Sequence, residues 1–243
     1  MTIDLNCDMG ERDDIKEDRI LALISSASVA CGAHAGTPAL IERTLRLARH
    51  HGVVCGAHPS YPDRENFGRV EMALSSDEIE ATVEEQIRAL AAIAANVGVE
   101  LAHVKPHGAL YNVAARNEFV ARAIARGVAR WSRSVILVGL ARTPMLEVWS
   151  EMGFRVAAEA FADRAYEPDG ALRPRSRPGA LLTDPMKAAE QAVTLARRGD
   201  IQTICTHGDT PGAEWIVASV RARLEQEGIL VAAIGRSNPP FRD

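Results

Sequence analysis

The chain opens with the stretch IDLNCD (residues 3–8), in which apolar and polar side chains alternate. A period of two is typical of a β-strand, because successive side chains point to opposite faces of the sheet. Asp4, Asn6 and Asp8 therefore share one face of the predicted strand Ile3–Cys7, which points inward if the strand belongs to a barrel. Buried carboxylates are unfavourable unless they are paired, hydrogen-bonded or metal-bound, so this face predicts a functional site.

Beyond this strand, short β-rich runs alternate with longer segments whose apolar residues recur at helical spacing. This alternation favours a parallel sheet covered by helices, in a single α/β domain over residues 1–243. The further predicted strands are Ala27–Cys31, Val53–Ala57, Leu101–Lys105, Val135–Val138, Arg155–Ala158, Gln202–Thr206 and a weaker eighth run, Ile229–Ile234. The predicted helices are Pro38–His51, Ser76–Asn96, Glu118–Trp131, Pro144–Met152, Pro185–Arg198 and Pro211–Gln226.

Length, charge and cysteine content narrow the class of protein. The 243 residues suit one α/β barrel, a fold of about 250 residues. A net charge of −4 provides no basic surface for nucleic acid or for an anionic membrane, so neither partner is expected. The N-terminus has no signal-peptide pattern. The four cysteines form no C-x-x-C pair and are expected to be buried, reduced thiols in a cytoplasmic protein.

Side chains capable of chemistry recur at the carboxyl ends of the predicted strands, which is where parallel α/β folds place their sites. One histidine after a strand is more often structural than catalytic, but convergence of many polar groups on one face favours an active site. These residues are Asp4, Asn6, Asp8, His34, His58, Ser60, Tyr61, Lys105, His107, Glu159, Asp163, Arg164, His207 and Asp209.

Several familiar motifs are missing from the sequence. It contains neither G-x-x-x-x-G-K-[ST] nor G-x-G-x-x-G, so neither common phosphate-binding loop is available to a nucleotide. It also lacks H-E-x-x-H. The motif G-x-S-x-G is absent as well, which leaves serine-triad hydrolysis without support.

Seven blocks of the sequence, in order, resemble the LamB/YcsF family. They are DLNCDMGE (residues 4–11), ACGAHAG (30–36), GAHPSYPD (56–63), FGR (67–69), HVKPHGALYN (103–112), FADRAYEPDG (161–170) and THGDTP (206–211). The resemblance implies a distorted TIM-like barrel of about seven parallel strands, of the kind shared with sugar deacetylases and glycoside hydrolases. It also implies the role of the A subunit of an ATP-dependent 5-oxoprolinase. Such an enzyme cleaves L-5-oxoproline to L-glutamate while ATP becomes ADP and phosphate.

The resemblance also implies partners, cofactors and residue roles. Two further 5-oxoprolinase subunits, B and C, are expected, together with ATP and the Mg²⁺ that accompanies it. Five residues are candidates for catalysis: Asp8, His58, Lys105, His107 and Glu159. Seven are candidates for binding substrate or nucleotide: Asp4, Asn6, His34, Asp163, Arg164, His207 and Asp209.

Within these sets the sequence leaves alternatives open. Asp8, His58 or His107 could be the general base, and Lys105 and Arg164 are candidates for binding anionic groups. Asp4 and Asp8, with His34 and His58, could instead bind a metal ion. The alternative functions are a stand-alone metal-dependent deacetylase or amidohydrolase and a non-catalytic binding subunit.

Overall fold

The computed structural model describes residues 1–168 and 170–235, and the strands among them form a closed parallel barrel. Strands β1 to β7 are Thr2–Met9, Ser26–Ala30, Val54–His58, Leu101–Val104, Ile136–Leu140, Arg155–Phe161 and Thr203–His207, and β8 is Leu230–Val231. Strands β1 to β7 pair in chain order, and β1 also pairs with β7, which closes a ring of seven strands. The predicted barrel of about seven parallel strands is confirmed.

Eight helices cover the outside of the described barrel. They are α1 Glu17–Leu21, α2 Pro38–His50, α3 Ser76–Asn96, α4 Gly108–Ala114, α5 Glu118–Trp131, α6 Pro144–Glu151, α7 Pro185–Arg197 and α8 Ala213–Gln226. Local capping explains several of the boundaries. The hydroxyl of Thr37 accepts a hydrogen bond from the Leu40 amide at the start of α2, and Ser75 and Glu78 form a capping box on α3. None of the helices in the described residues is long and apolar enough to span a bilayer.

The structure differs from the sequence-based elements at two helices that were not predicted, at the start of α8 and at β8. Helices α1 and α4 were not predicted, because both are too short to show an apolar period. Helix α8 begins at Ala213 rather than at Pro211, since Gly212 before it adopts a left-handed backbone with φ 78°. Strand β8 has two residues and, within residues 1–168 and 170–235, pairs only with the beginning of β1, so it lies outside the barrel ring.

Strand β1 shows how the fold separates apolar from polar surface. Its outward side chains Ile3, Leu5, Cys7 and Met9 belong to the buried apolar layer between the strands and the helices. Its inward side chains are Asp4, Asn6 and Asp8, all of which are buried as well. Burial of both faces is typical of barrel strands, which have helices on one side and the barrel interior on the other. The interior beside β1 is therefore polar.

Gly56 on β3 provides room for a histidine inside the barrel. A Cβ atom at this position would lie 2.2 Å from Cδ2 of His103 on β4. No ordinary Cβ approaches another heavy atom so closely, so the His103 ring occupies the volume that a side chain at position 56 would need. The glycine thus allows a buried imidazole below the functional end of the barrel.

Candidate active site

Most of the predicted site residues lie at one end of the barrel. Asp8, His58 and His207 are at or near the carboxyl ends of β1, β3 and β7, while Lys105 and His107 directly follow β4. His34 follows β2, Asp163 and Arg164 follow β6, and Asp209 follows β7. Parallel barrels carry their chemistry at this end because the loops there are not needed to hold the strands together.

Asp4 is the exception among the predicted residues, because it lies at the opposite end of β1. Its carboxylate accepts hydrogen bonds from Ser25 Oγ at 2.7 Å, Ser26 Oγ at 2.8 Å and Thr203 Oγ1 at 2.5 Å. Burial raises the pKa of Asp4 above its usual value, although the three hydroxyl donors oppose that change. With these partners, Asp4 is a structural acceptor at the base of the barrel, and it does not meet His34 or His58.

Lys105 lies at the centre of a dense polar network. Its ammonium contacts Asp8 Oδ1 at 2.7 Å and Glu159 Oε1 at 2.9 Å. It also donates hydrogen bonds to Asn6 Oδ1 at 3.1 Å and Cys205 Sγ at 3.3 Å. The side chain is only 2% exposed. Asp8 and Glu159 therefore neutralise a charge that could not remain unpaired at this depth.

The remaining members of this network are hydrogen-bonded, whereas Asp8 Oδ1 has only its ion-pair contact with Lys105. Glu159 accepts hydrogen bonds from Asn6 Nδ2 at 3.0 Å and from Tyr111 Oη at 2.9 Å. Asn6 Nδ2 donates a second hydrogen bond to Thr203 Oγ1 at 2.6 Å. Burial raises the pKa of the Cys205 thiol well above its usual value, so the sulfur beside Lys105 stays protonated. All four cysteines are buried and free of disulfides, and an inactive thiol is the expected state for such surroundings.

A second cluster, the histidine cluster, consists of Glu11, His34, His58 and His107. Glu11 Oε1 lies 3.1 Å from His34 Nε2, 3.4 Å from His107 Nδ1 and 3.9 Å from His58 Nε2. His58 Nε2 and His107 Nδ1 are 2.9 Å apart. The donor atoms of the four residues all lie within 4.8 Å of one another, which is close enough to hold a metal ion.

Electrostatics keep two of these imidazoles neutral. Burial lowers the pKa of His34 to about 3. Burial, together with the neighbouring His34 and His58, lowers the pKa of His107 well below its usual value. Burial also raises the pKa of Glu11 to about 7, and the nearby Asp8 carboxylate adds to this effect. The charged forms of His34, His107 and Glu11 are therefore unfavourable in these surroundings.

Asp8 connects the Lys105 network to the histidine cluster. Its Oδ2 lies 3.3 Å from His58 Nε2, while its Oδ1 contacts Lys105. Burial by itself would raise the pKa of Asp8, but His58 and Lys105 outweigh it and hold the pKa well below its usual value. Asp8 is therefore a permanent carboxylate that can stabilise positive charge at His58, and it is too weakly basic to be the best proton acceptor.

A backbone conformation of low stability orients His107. Phe67 has a left-handed backbone with φ 57°, which is uncommon for a residue with a bulky side chain. Its carbonyl oxygen accepts a hydrogen bond from His107 Nε2 at 2.9 Å. The loop after β3 thereby holds the His107 ring over the barrel, and strain of this kind is concentrated at functional sites.

Asp163 and His207 form a pair beside the network. The Asp163 carboxylate accepts hydrogen bonds from His207 Nδ1 at 2.9 Å, from the His207 amide at 3.0 Å and from Thr210 Oγ1 at 2.7 Å. Burial opposes ionisation of Asp163, but His207 and these donors lower its pKa below the usual value. The pair fixes the loop after β7 against the loop after β6.

Arginines surround the outer part of the site. Asp209 Oδ2 lies 2.5 Å from Arg69 Nη2 and 3.5 Å from Arg175 Nη1. Arg164 donates a hydrogen bond from Nη2 to the Arg173 carbonyl, and its Nε has no hydrogen-bond partner within the described chain. Burial and the charge of Arg175 lower the pKa of Arg164 to about 10. This surplus of guanidinium groups suits an anionic ligand.

Sequence reasoning did not include several residues of the site. Glu11 was quoted in a motif, but Gly10, with φ 74°, turns the chain after β1 and breaks the alternation that located Asp8. Tyr111 lies on α4, which was not predicted. Arg69 stands in the quoted block FGR (67–69), whereas Arg175 lies in a loop outside every quoted block. The motif blocks at residues 4–11 and 103–112 contain Glu11 and Tyr111, so these two residues could have been found from the sequence.

Comparison with known proteins identifies the family. A model of the LamB/YcsF family matches residues 3–238. The chain belongs to the LamB/YcsF family. It is 51% identical to the 5-oxoprolinase A subunit of Chloroflexus aggregans, over 95% of this chain and 98% of that one. It is 45% identical to the 5-oxoprolinase A subunit of Pyrococcus furiosus, over 97% of this chain and 98% of that one.

Solved structures agree with this assignment. The crystal structure of a lactam utilization protein from Thermus thermophilus superposes with a TM-score of 0.90, at 43% identity, over 96% of this chain and 100% of that one. A family 4 carbohydrate esterase from Streptomyces lividans superposes with a TM-score of 0.54 at 12% identity, over 96% of this chain and 93% of that one. That second likeness concerns the fold alone.

Proposed function

We propose that this LamB/YcsF protein is the A subunit of an ATP-dependent 5-oxoprolinase, which opens the lactam ring of L-5-oxoproline to give L-glutamate. The main support is the full-length identity of 51% to a protein named as the A subunit of 5-oxoprolinase. The site agrees with this role, because it combines hydrogen-bond acceptors that can activate water with arginines that can bind an anion.

The chemistry of the lactam explains the need for ATP. The amide of 5-oxoproline is unactivated, and transfer of the γ-phosphoryl group of ATP to the amide oxygen makes C5 electrophilic as ADP leaves. Water then adds to C5, and the ring C–N bond breaks as the nitrogen takes up a proton. The resulting glutamyl phosphate reacts with a second water, which yields glutamate and phosphate.

The histidine cluster is suited to the water-addition step. The unprotonated ring nitrogens of the cluster and the Glu11 carboxylate converge on a small volume, so they are the groups that take a proton from the attacking water. Asp8, held ionised by Lys105, stabilises the positive charge that develops at His58, 3.3 Å away. This assigns Asp8 an electrostatic role, and the imidazoles rather than Asp8 act as bases.

The arginines at the opening are suited to the anionic parts of the substrate. Lys105 is already neutralised by two carboxylates, so it is a poor ligand for a third anion. Arg164 Nε has no hydrogen-bond partner among the residues that the structure describes, and Arg69 and Arg175 are more exposed than Lys105. We assign the phosphoryl group or the substrate carboxylate to these arginines. Lys105 then positions Asp8 and Glu159.

The nucleotide is expected to be bound largely by partner subunits. The chain has neither of the two common phosphate-binding loops, and the relatives at 45–51% identity are each named as one subunit of an enzyme. Two further subunits, B and C, would then bind ATP with its Mg²⁺ and phosphorylate the lactam. The protein described here would open the phosphorylated ring.

A coupled assay tests this assignment. ADP and glutamate are measured with 5-oxoproline and ATP, for the purified chain alone and after addition of the two partner subunits. We expect turnover only in the complete mixture, with one glutamate formed for each ATP consumed. Turnover by the isolated chain without ATP would instead support a stand-alone amidohydrolase. Full turnover by the two partner subunits without this chain would show that the chain is a non-catalytic binding subunit.

A further inference from the structure

The hydrogen bonds of the three clustered histidines determine which ring nitrogens carry protons. His58 Nδ1 lies 2.7 Å from the Lys105 carbonyl oxygen, which can only accept, so Nδ1 carries the proton. His107 Nε2 donates in the same way to the Phe67 carbonyl. Ser60 Oγ donates its proton to the Tyr61 carbonyl, so it accepts from His34 Nδ1 at 3.0 Å.

When the rings are neutral, as metal binding requires, the other nitrogen of each ring presents a lone pair to the same small volume. These atoms are His34 Nε2, His58 Nε2 and His107 Nδ1, and the Glu11 carboxylate adds a fourth acceptor. His58 Nε2 and His107 Nδ1 are only 2.9 Å apart, and in the neutral rings neither atom carries a proton that could join them. Acceptors that face acceptors at this distance repel one another unless a cation lies among them.

We propose that Glu11, His34, His58 and His107 bind one divalent transition-metal ion, with Zn²⁺ as the best fit. Three imidazoles and a carboxylate are ligands that zinc prefers. Bonds of about 2.0–2.1 Å to a tetrahedral ion place its ligand atoms about 3.3 Å apart. The separations of 2.9, 3.1, 3.4 and 3.9 Å within the cluster bracket this value.

The surroundings of the cluster also have the features of a metal site. Histidines that bind a metal usually donate their other N–H group to a carbonyl or a similar acceptor, which fixes the ring orientation. All three rings have such a partner, in Lys105 O, Phe67 O and Ser60 Oγ. The rings of His34 and His107 stack with an interplanar angle of 5°, so one of them must tilt for both lone pairs to reach the same ion.

The charge balance of the buried groups favours a dication. The Lys105 ammonium contacts the carboxylates of Asp8 and Glu159, and Glu11 lies among the histidines. When all three carboxylates are ionised and the histidines are neutral, two negative charges remain. A dication among the histidines would cancel both charges. A second group, Asp8, Cys205 and His207, also has metal-ligand spacing, but Asp8 and Cys205 already contact the Lys105 ammonium, which would repel a metal ion.

Binding of this ion does not depend on the proposed reaction. Only the catalytic role of the ion rests on the proposed function. A zinc-bound water has a pKa near 7. Because four protein ligands fill a tetrahedral zinc ion, this water would enter as a fifth ligand, which catalytic zinc sites allow, and would supply the nucleophile for ring opening. With the ion bound, the imidazoles would be its ligands instead of the bases assigned to them in the metal-free site, and Asp8 would orient the bound water through its position beside His58.

Direct metal binding tests the proposal without substrate or partner subunits. The purified chain is stripped with a chelator, and binding of Zn²⁺ and Co²⁺ is followed by calorimetry, metal analysis and the visible spectrum of the cobalt form. We expect one ion per chain and a higher Tm with zinc. Glu11→Gln and His58→Ala should each weaken binding by at least about 100-fold, the upper end of the effect of losing an outer-shell partner.

Two further variants complete the design. Ser60→Ala removes only the acceptor of His34, and it should weaken binding about 10- to 100-fold. His50→Ala, on the exposed end of α2, is the matched control and should bind zinc like the unmodified chain. Thermal melting of each metal-free variant shows that it is folded. A folded chain that binds neither ion, or zinc binding that is unchanged in Glu11→Gln and His58→Ala, would overturn the proposal. Neither result would affect the lactam assay.

Discussion

Two groups of buried polar side chains share the upper part of the barrel, and they differ in how their hydrogen-bonding capacity is used. In the Lys105 network, donors meet acceptors: the ammonium contacts Asp8 and Glu159, and Tyr111 donates to Glu159. In the histidine cluster, lone pairs meet lone pairs, as between His58 Nε2 and His107 Nδ1. Satisfied buried networks stabilise a fold. An unsatisfied cluster costs stability and indicates a site for a ligand or for catalysis.

The comparison teaches that burial and charge do not by themselves distinguish a catalytic group from a structural one. Lys105 and His58 are equally deep in the protein, with side chains 2% and 1% exposed. What separates them is whether their partners already complete their interactions. Substitutions that affect one group and leave the other intact therefore test whether the Lys105 network is structural and the histidine cluster is catalytic.

The largest effect is expected for Asp8→Asn, because Asp8 joins the two groups. The amide keeps the shape of the carboxylate but cannot stabilise positive charge at His58. We expect turnover of the assembled enzyme to fall about 100- to 10,000-fold. The measurement is the coupled glutamate assay, with Glu85→Gln, an exposed carboxylate on α3, as the control. Near-normal turnover in Asp8→Asn would remove Asp8 from the chemistry.

The next largest effect is expected for Lys105→Met, and it should appear in stability. The substitution keeps much of the side-chain volume but leaves Asp8 and Glu159 as buried carboxylates without their cation. Breaking such a pair costs about 3–5 kcal/mol of unfolding free energy. Urea unfolding measures this loss, and Lys187→Met on the exposed side of α7 is the control.

A Lys105→Met variant that stayed stable but lost activity would give Lys105 a different role. If the variant remained as stable as the unmodified chain while turnover fell about 100-fold or more, Lys105 would be acting on the substrate or on the developing phosphoryl charge. Activity is measured on the same preparation as stability, with the partner subunits present. The two functions of the ammonium can then be separated directly.

Physical limits explain how far the sequence could predict this site. The alternation in residues 3–8 located Asp4, Asn6 and Asp8 on the inner face of β1, and the structure agrees. A period of two says nothing about height along the strand, so it could not show that Asp4 lies at the base of the barrel and Asp8 at the opening. The interactions of Asp4 come from Ser25, Ser26 and Thr203, and these depend on strand register.

The second limit on predicting the site from the sequence concerns the loops. Strand ends can be read from apolar runs, and they placed His58, Lys105 and His207 correctly at one end of the barrel. Glu11 and Arg69 reach the same place through turns that begin at Gly10 and at Phe67, whose backbones are left-handed. No periodic pattern encodes such turns. The resemblance to a family supplied the motif around Glu11, but not its position among the histidines.

A smaller effect is expected for Asp163→Asn, which tests a pair outside both groups. Asp163 accepts three hydrogen bonds, and their loss from a charged acceptor should cost about 1.5–3 kcal/mol at pH 7. Because the pKa of Asp163 is lowered in the folded protein, its contribution is present above its unfolded value of 3.8 and is lost as the pH falls below that value.

Unfolding curves at several pH values check this dependence. The difference in stability between the unmodified chain and Asp163→Asn should be constant near neutral pH and should shrink on acidification below 3.8, the unfolded pKa of the residue. Asp77→Asn, on the exposed first turn of α3, is the control and should show no such convergence. A gap that widened toward acid pH would mean that Asp163 is protonated in the folded protein.

The smallest effect is expected for Ser26→Ala, at the base of the barrel. The substitution removes one of three hydroxyl donors to Asp4, and the loss of one such bond costs about 0.5–1.5 kcal/mol. Asp4 is four positions before Asp8 on β1, and at about 3.3 Å per residue this separates their Cα atoms by about 13 Å. Turnover in the assembled enzyme should therefore stay unchanged while urea unfolding shows the small loss. A fall in turnover larger than the change in stability explains would return Asp4 to the site. Such a result would also show that the satisfied interior and the reactive opening of the barrel act as one network.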